Sequence, residues 1–296
     1  MSSALSWYII IFSVANIVGC YVLIKWSSKP QPGESAQGEV TGHTWDEDLQ
    51  ELNNPMPRWW LWLFYITIVF GLLYIVLYPG AGSFSGILGW NQKQQYEAEI
   101  SAADKTYGPI FAAYSKQTIP ALAKDPKAIQ AGQRLFLNYC STCHGSDARG
   151  ARSFPNLRDS DWLYGGTPEA IKHSIMNGRT GIMPPMGAAL GDDGVNAVAA
   201  YVLSLSRDDQ DASVVEHGKA KFQTLCVACH QADGKGNTAI GAPNLTDKIW
   251  LHGRSVGAIK QTITKGRTGV MPPHGDFLGE DKVHLLAAYV YSLSNK

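Results

Sequence analysis

Neither sign of charge is in excess in this chain of 296 residues, because 25 Lys and Arg residues balance 25 Asp and Glu residues. Without a basic surplus there is no electrostatic signal for nucleic-acid binding, and we expect no such partner. Alternation of apolar and polar residues, the mark of β-strands, is absent from the C-terminal two thirds. This absence predicts an all-α fold. Cysteine is scarce as well, with five residues.

Two long apolar runs stand in the N-terminal part, Leu5–Trp26 and Trp59–Tyr78. Each has the roughly twenty residues that a helix needs to cross a bilayer, and aromatic residues cluster at their ends, as at membrane interfaces. No Lys or Arg precedes the first run and no small-x-small cleavage site follows it, which favours an uncleaved anchor. We predict two transmembrane helices in the lipid bilayer, at residues 1–26 and 59–78.

Positive charge near these runs predicts their orientation. Lys25, Lys29 and Arg58 flank the connecting loop, whereas the N-terminal tail has no Lys or Arg. The positive-inside rule therefore assigns residues 27–58 to the cytoplasm. Two crossings then deliver the rest of the chain to the outer side, beginning with a periplasmic linker at residues 79–127. The predicted location is the bacterial inner membrane.

Four of the five cysteines belong to a pentapeptide, Cys-x-x-Cys-His, that occurs twice: Cys140-Ser-Thr-Cys143-His144 and Cys226-Val-Ala-Cys229-His230. This is the attachment signature of c-type haem. A zinc site would need the two motifs to converge as four ligands, or one motif to combine with a distant pair of histidines. A disulfide pattern gives no reason for a histidine after each pair. We predict two covalent haem c groups, each held by two cysteines, with the following histidine as an axial iron ligand. Bacteria attach haem c outside the cytoplasm, in agreement with the predicted topology.

The motifs lie within an internal repeat, which predicts one small helical domain at 128–208 and a second at 209–296. Corresponding cysteines are 86 residues apart, and corresponding residues from Pro155 onward are 88 apart. Before each motif a glycine and a phenylalanine stand four residues apart on one predicted helix face. The matching segments are Ala131–Phe136 and His217–Phe222, Pro155–Leu157 and Pro243–Leu245, Asn177–Pro185 and Lys265–Pro273, and Ala199–Ser206 and Ala287–Ser294.

The same repeat indicates the second axial ligand of each iron, opposite the histidine. Met183 and Met271 take the same place in Gly-Arg-Thr-Gly-x-Met-Pro-Pro, whereas Met186 aligns with His274 and is not repeated. We therefore prefer Met183 over Met186, and Met271 over His274. His/Met ligation fills both axial positions and raises the haem potential. Each methionine is assigned to its own repeat, although exchange of the two loops between packed domains would use the same ligands.

Each repeat resembles the class I cytochrome c fold, in which the first and last helices cross over the haem. The resemblance implies that the carbonyls of Pro155 and Pro243 accept hydrogen bonds from the histidine Nδ1–H groups, an arrangement that orients a ligand and tunes the metal. For Arg179 and Arg267 we hypothesise bonds to haem propionates or to the loop backbone.

The whole chain resembles the di-haem subunit, subunit III, of cbb3-type cytochrome c oxidase. The residues that carry this resemblance run from Gly42-His43-Thr44-Trp45-Asp46-Glu47-Asp48 through Asn53-Asn54-Pro55-Met56-Pro57-Arg58 to Trp59-Trp60-Leu61-Trp62. Many members have one membrane helix, whereas this sequence predicts two. The resemblance implies a non-catalytic electron-entry subunit that passes electrons from a soluble or membrane-bound donor cytochrome c to a mono-haem subunit. From there they reach the haem–copper catalytic subunit of a proton-pumping oxidase that reduces O2 to water.

The sequence leaves two other functions to be considered. A di-haem peroxidase needs an open or displaceable distal site, which two equivalent methionine loops disfavour. A membrane-anchored electron shuttle of another respiratory complex would not need the loop before Trp59.

Overall fold

The computed structural model describes residues 1–294 and is mostly helical. Two compact units are present, Met1–Asp104 and Lys105 onward. Within the described residues the helices are α1 Ser3–Ser27, α2 Arg58–Leu77, α3 Gln92–Ser115, α4 Ile119–Leu122, α5 Pro126–Tyr139, α6 Ser141–His144, α7 Pro168–Asn177, α8 Gly187–Ser204, α9 Ala212–Leu225, α10 Val227–His230, α11 Val256–Lys265, α12 Gly275–Leu278 and α13 Glu280–Ser294. The strands are β1 Val40–Trp45, β2 Leu49–Leu52, β3 Arg179–Met183 and β4 Arg267–Met271.

Two small antiparallel sheets, β1–β2 and β3–β4, depart from the all-α prediction. The first is a hairpin in the loop between the apolar helices, where Trp45 pairs with Leu49 across a turn. The second joins strands that are far apart in sequence. A five-residue strand with a central glycine has little intrinsic strand preference, so the pattern of the sequence did not indicate it.

The first unit contains both predicted membrane helices. α1 and α2 are long and apolar enough to cross a membrane by length and composition, and their bounds lie within one or two residues of the predicted ones. The rings of Tyr21 and Tyr65 lie 6.1 Å apart, and the Ser83 amide donates to the Ser6 hydroxyl at 2.8 Å. Contacts near both ends show that the two helices run antiparallel, so that the start of α1 and the end of α2 lie on the same side.

Corresponding polar caps start the helices of the two repeats in the second unit. Asp125 accepts from the Lys127 amide at the start of α5, and Asp211 accepts from the Ser213 amide at the start of α9. The hydroxyls of Thr167 and Ser255 cap α7 and α11 in the same manner. A side-chain acceptor at this position satisfies an amide that has no partner within the helix.

The two repeats exchange their closing helices, which differs from the expectation that each repeat packs on itself. α13 of the second repeat packs on α5 of the first, and α8 of the first packs on α9 of the second. A Cβ placed on Gly132 would lie 2.7 Å from the Tyr289 Cβ, and one on Gly218 would lie 2.9 Å from the Tyr201 Cβ. Glycine is thus required where each pair of helices crosses.

Two hydrophobic cores result, and each contains residues of both repeats. The first core combines Phe136 and Ile171 with Leu285 and Leu286 of α13. The second combines Phe222 with residues of α8 and α11. At the two crossings, the Phe136 and Tyr289 rings are 5.4 Å apart and the Phe222 and Tyr201 rings are 5.1 Å apart. Each haem-attachment motif therefore lies beside a core that neither repeat could complete alone.

Candidate haem-binding sites

Each Cys-x-x-Cys-His motif folds as a single helical turn, α6 or α10. The His144 amide donates to the Cys140 carbonyl at 3.0 Å, and the His230 amide donates to the Cys226 carbonyl at 2.9 Å. This turn carries the two thiols and the imidazole of a motif on one short stretch of backbone.

Both imidazoles are oriented by a proline carbonyl. His144 Nδ1 lies 3.0 Å from the Pro155 oxygen, and His230 Nδ1 lies 3.2 Å from the Pro243 oxygen. Burial is the main cause that lowers the pKa of both histidines, so the neutral ring is favoured. With Nδ1–H donating to the carbonyl, Nε2 is the free ligand atom of each ring.

The thiols are arranged alike in the two motifs. Burial, and to a lesser extent the neighbouring Cys143, raises the pKa of Cys140 to about 11, and burial also raises the pKa of Cys226. The second cysteine of each motif is exposed, and no disulfide joins any of the five cysteines, all of which lie within residues 1–294. Within residues 1–294, no three His, Cys, Asp or Glu side chains gather as a metal-ligand set, so the two motifs do not converge as the zinc alternative requires.

The two candidate methionines lie on one ribbon, β3–β4. Its register pairs Arg179 with Met271 and Met183 with Arg267, and the repeat-equivalent Gly181 and Gly269 face each other at its centre. The two Arg and two Met side chains are partly buried, whereas the residues between them, Thr180, Ile182, Thr268 and Val270, are exposed. One face of the ribbon therefore presents both methionines to the protein interior.

Each methionine packs against the core that also contacts the haem motif of the other repeat. Met271 contacts the first core, which includes Cys140 among its partly buried neighbours. Met183 contacts the second core, beside Cys226. The arrangement matches the exchange of loops that the sequence left open.

The two alternative ligands are also located. Met186 packs against the second core together with Met183. His274 Nδ1 lies 2.8 Å from the Pro272 oxygen, and its charge contributes to lowering the pKa of His144. His274 is thus close enough to the first motif to influence His144.

Buried polar atoms without partners support the presence of a further group in the second unit. Of the five such side-chain atoms within residues 1–294, three are Tyr164 Oη, Trp250 Nε1 and Arg267 Nη2. Leaving such a donor unpaired costs about 1–3 kcal/mol. Haem c carries two propionate carboxylates that accept hydrogen bonds from N–H and O–H groups, so these residues fit the group that the motifs predict.

The two arginines of the ribbon are held by the preceding helices. Arg179 Nε donates to the Ser174 hydroxyl at 2.8 Å, and Arg267 Nε donates to the Thr262 hydroxyl at 2.9 Å. The Arg179 guanidinium also lies 4.6 Å from the Tyr164 ring centre. Sequence reasoning did not identify Tyr164, because His252 takes its place in the second repeat and the repeat therefore gave no signal.

Carboxylates of both repeats lie close together, namely Asp159 and Asp161 of the first and Asp247 of the second. Burial, followed by repulsion from Asp247 and Asp159, raises the pKa of Asp161 from 3.8 to about 6. Burial, and to a lesser extent repulsion from Asp247, also raises the pKa of Asp159 against the lowering effect of its hydrogen bonds. Between these pH values the folded chain holds a proton that the unfolded chain has lost, so the free energy of unfolding falls as the pH rises from about 4 to about 6.

Replacing Asp161 with asparagine is therefore expected to raise the free energy of unfolding at pH 7 and to flatten its dependence between pH 4 and 6. Denaturant titrations at several pH values measure both effects. Asp208→Asn at an exposed position serves as the control, and equal slopes for wild type and Asp161→Asn would contradict the assignment.

Comparisons with known proteins identify relatives of this chain. Residues 37–85 match the N-terminal domain of cytochrome oxidase-cbb3, FixP, and residues 127–202 and 213–290 match cytochrome c oxidase, cbb3-type, subunit III. The cbb3-type cytochrome c oxidase subunit CcoP of Rubrivivax gelatinosus is 48% identical over 99% of this chain and 96% of its own length. Subunit FixP of Rhizobium meliloti is 38% identical over 86% of the chain and 94% of its own length.

The match covers the segment before α2 as well as both repeats, and the most similar of these relatives aligns with nearly every residue. Membership of the family assigns haem c as a cofactor and the other oxidase subunits as partners of this membrane-anchored electron-transport protein. The chain belongs to the cbb3-type cytochrome c oxidase subunit III family.

Proposed function

We propose that the chain carries two haem c groups with ligands drawn from both repeats. The first would be attached at Cys140 and Cys143 and ligated by His144 and Met271, and the second would be attached at Cys226 and Cys229 and ligated by His230 and Met183. The observation that carries this proposal is that each methionine packs against the same core as the other repeat's attachment motif. Each half would be a class I cytochrome c-like domain, with the limits 128–208 and 209–296, whose closing helix and methionine come from its neighbour.

Haem c, when bound, supplies a one-electron couple at its iron. The imidazole and thioether would fill both axial positions and raise the haem potential. Pro155 and Pro243 hold the imidazoles in the orientation that leaves Nε2 free. Because both axial positions are filled by side chains, such a centre exchanges electrons without binding a substrate, which argues against a peroxidase.

The proposed role is entry of electrons into the oxidase. Electrons from a donor cytochrome c would enter through the haem domains and pass to a mono-haem subunit and then to the haem–copper catalytic subunit. The antiparallel arrangement of α1 and α2 supports a periplasmic location for these domains, since it puts the start of the chain and the segment after Tyr78 on one side. Lys25, Lys29 and Arg58 would keep the connecting loop in the cytoplasm.

Mass spectrometry and redox titration of the purified membrane complex test this function. We expect the mass of the chain plus two haems, two high-potential transitions, and reduction of these haems by donor cytochrome c before oxygen is consumed. Electron delivery to oxygen that bypasses these haems, or purification without a haem–copper subunit, would favour the shuttle of another respiratory complex.

A further inference from the structure

The pairing of the two methionine strands places a glycine of each repeat against the methionine loop of the other. Gly178 directly follows α7, and Gly266 directly follows α11. Their φ and ψ are 69° and −176° for the first and 70° and −175° for the second. This backbone region is populated almost only by glycine. The two positions are equivalent in the repeat and nearly identical in geometry.

A side chain at either glycine would collide with the opposite loop. A Cβ on Gly178 would meet the Met271 carbonyl and would lie 2.8 Å from the Pro273 nitrogen. A Cβ on Gly266 would meet the Met183 carbonyl and would lie 2.8 Å from the Pro185 nitrogen. These neighbours are backbone atoms that follow or carry the methionine, so they could yield only if the methionine itself moved.

Backbone hydrogen bonds make the same connection. The His274 amide, three residues after Met271, donates to the Ile175 carbonyl of α7 at 3.0 Å. The Met186 amide, three residues after Met183, donates to the Ile263 carbonyl of α11 at 2.9 Å. The end of one repeat's helix therefore contacts the other repeat's methionine loop at the methionine carbonyl and at the three residues that follow it.

From this geometry we infer that Gly178 and Gly266 are positioning residues that act across the repeats. Gly178 sets the distance of Met271 from the iron at the first attachment motif, and Gly266 sets that of Met183 from the iron at the second. The inference rests on the proposed exchange of axial ligands. It adds that the first haem depends on α7, which contacts the Met271 loop, and that the second haem depends on α11, which contacts the Met183 loop.

Substitution of Gly178 by alanine in the full chain, purified within the oxidase complex, tests the inference. We expect loss of the contribution of the first haem to the long-wavelength absorption that ferric haem shows when methionine is bound, together with a lower midpoint potential for the first haem. Gly191 provides the matched control, because its φ and ψ are 62° and 173° and a Cβ there would meet none of the described residues within 4 Å. Gly191→Ala therefore introduces the same backbone strain without the collision and is expected to keep the absorption.

The first haem is identified by a label in the same preparation. Cys143→Ala leaves one vinyl group of that haem unsaturated, which shifts its reduced absorption band to longer wavelength and separates it from the second. Normal methionine absorption and unchanged potentials in folded Gly178→Ala would overturn the inference. If Met271→Ala alters the labelled haem while Gly178→Ala does not, the positioning role fails and the exchanged ligation stands. If Met271→Ala alters the unlabelled haem, the exchanged ligation itself fails.

Gly275→Ala keeps the test open if Gly178→Ala does not assemble. Gly275 is the first residue of α12, which follows the Met271 loop. A Cβ there would lie 2.9 Å from the carbonyl of Met176 in α7. The expected result is a smaller shift of the first haem's potential in the same direction. An unchanged potential in this variant counts against control of the ligand by α7.

Discussion

Replacement of Met271 by alanine is expected to lower the midpoint potential of the haem at Cys140 and Cys143 and to leave the haem of the second repeat near its original potential. The physical reason is the exchange of strands, since the Met271 side chain lies against the first core. Loss of the thioether removes the ligand that holds a haem potential high. Redox titration followed at the absorption of each haem, with the Cys143→Ala label, measures the change.

Met183→Ala is the reciprocal variant, and it is expected to affect only the haem at Cys226 and Cys229. Met186→Ala serves as the control for that site, because this side chain also packs against the second core but lies outside β3. A larger loss of methionine absorption in Met186→Ala than in Met183→Ala would assign the ligand to Met186 instead.

Replacement of Phe222 by alanine is expected to lower the free energy of unfolding by about 3–5 kcal/mol, the usual range for a buried phenylalanine. The side chain is 1% exposed. Its ring lies 5.1 Å from that of Tyr201 on the exchanged helix and 6.5 Å from the His230 imidazole. The cavity would therefore weaken both the packing of the two repeats and the support of an axial ligand.

Thermal and denaturant unfolding of the purified haem-containing protein measures this loss, and the methionine absorption reports on the ligand. Phe277→Ala is the matched control, because that ring is 59% exposed and its removal creates no enclosed cavity. Phe222→Ala and Phe277→Ala variants of equal stability would show that the α8–α9 crossing does not hold the second core.

Local features of the fold could be predicted from the sequence because each depends on residues that are close together. The apolar runs indicated α1 and α2 to within one or two residues. The short haem motifs indicated the attachment turns, and the repeat indicated Met183 and Met271 as a matched pair. The acceptors Pro155 and Pro243 came from resemblance to cytochrome c, and the structure has both hydrogen bonds.

The sequence could not predict whether α8 and α13 pack against their own repeat or the other one, because the two repeats present equivalent surfaces. Gly132 with Phe136, and Gly218 with Phe222, form the same complementary face, so either could accept Tyr201 or Tyr289. Only the short connection 205–211 between α8 and α9 distinguishes the two arrangements, since helices joined by a short connection usually pack together. The β3–β4 ribbon was missed for a related reason, because its hydrogen bonds form only after the repeats have met.

The exchanged helices also determine when each core can close during synthesis. The chain is made from its N-terminus, so α5 and the first Cys-x-x-Cys-His motif emerge long before α13, the last helix of the described residues. The second core, by contrast, receives α8 from a segment that is already complete. The first core to begin is thus the last to be finished, and a chain truncated before Tyr289 would leave it open.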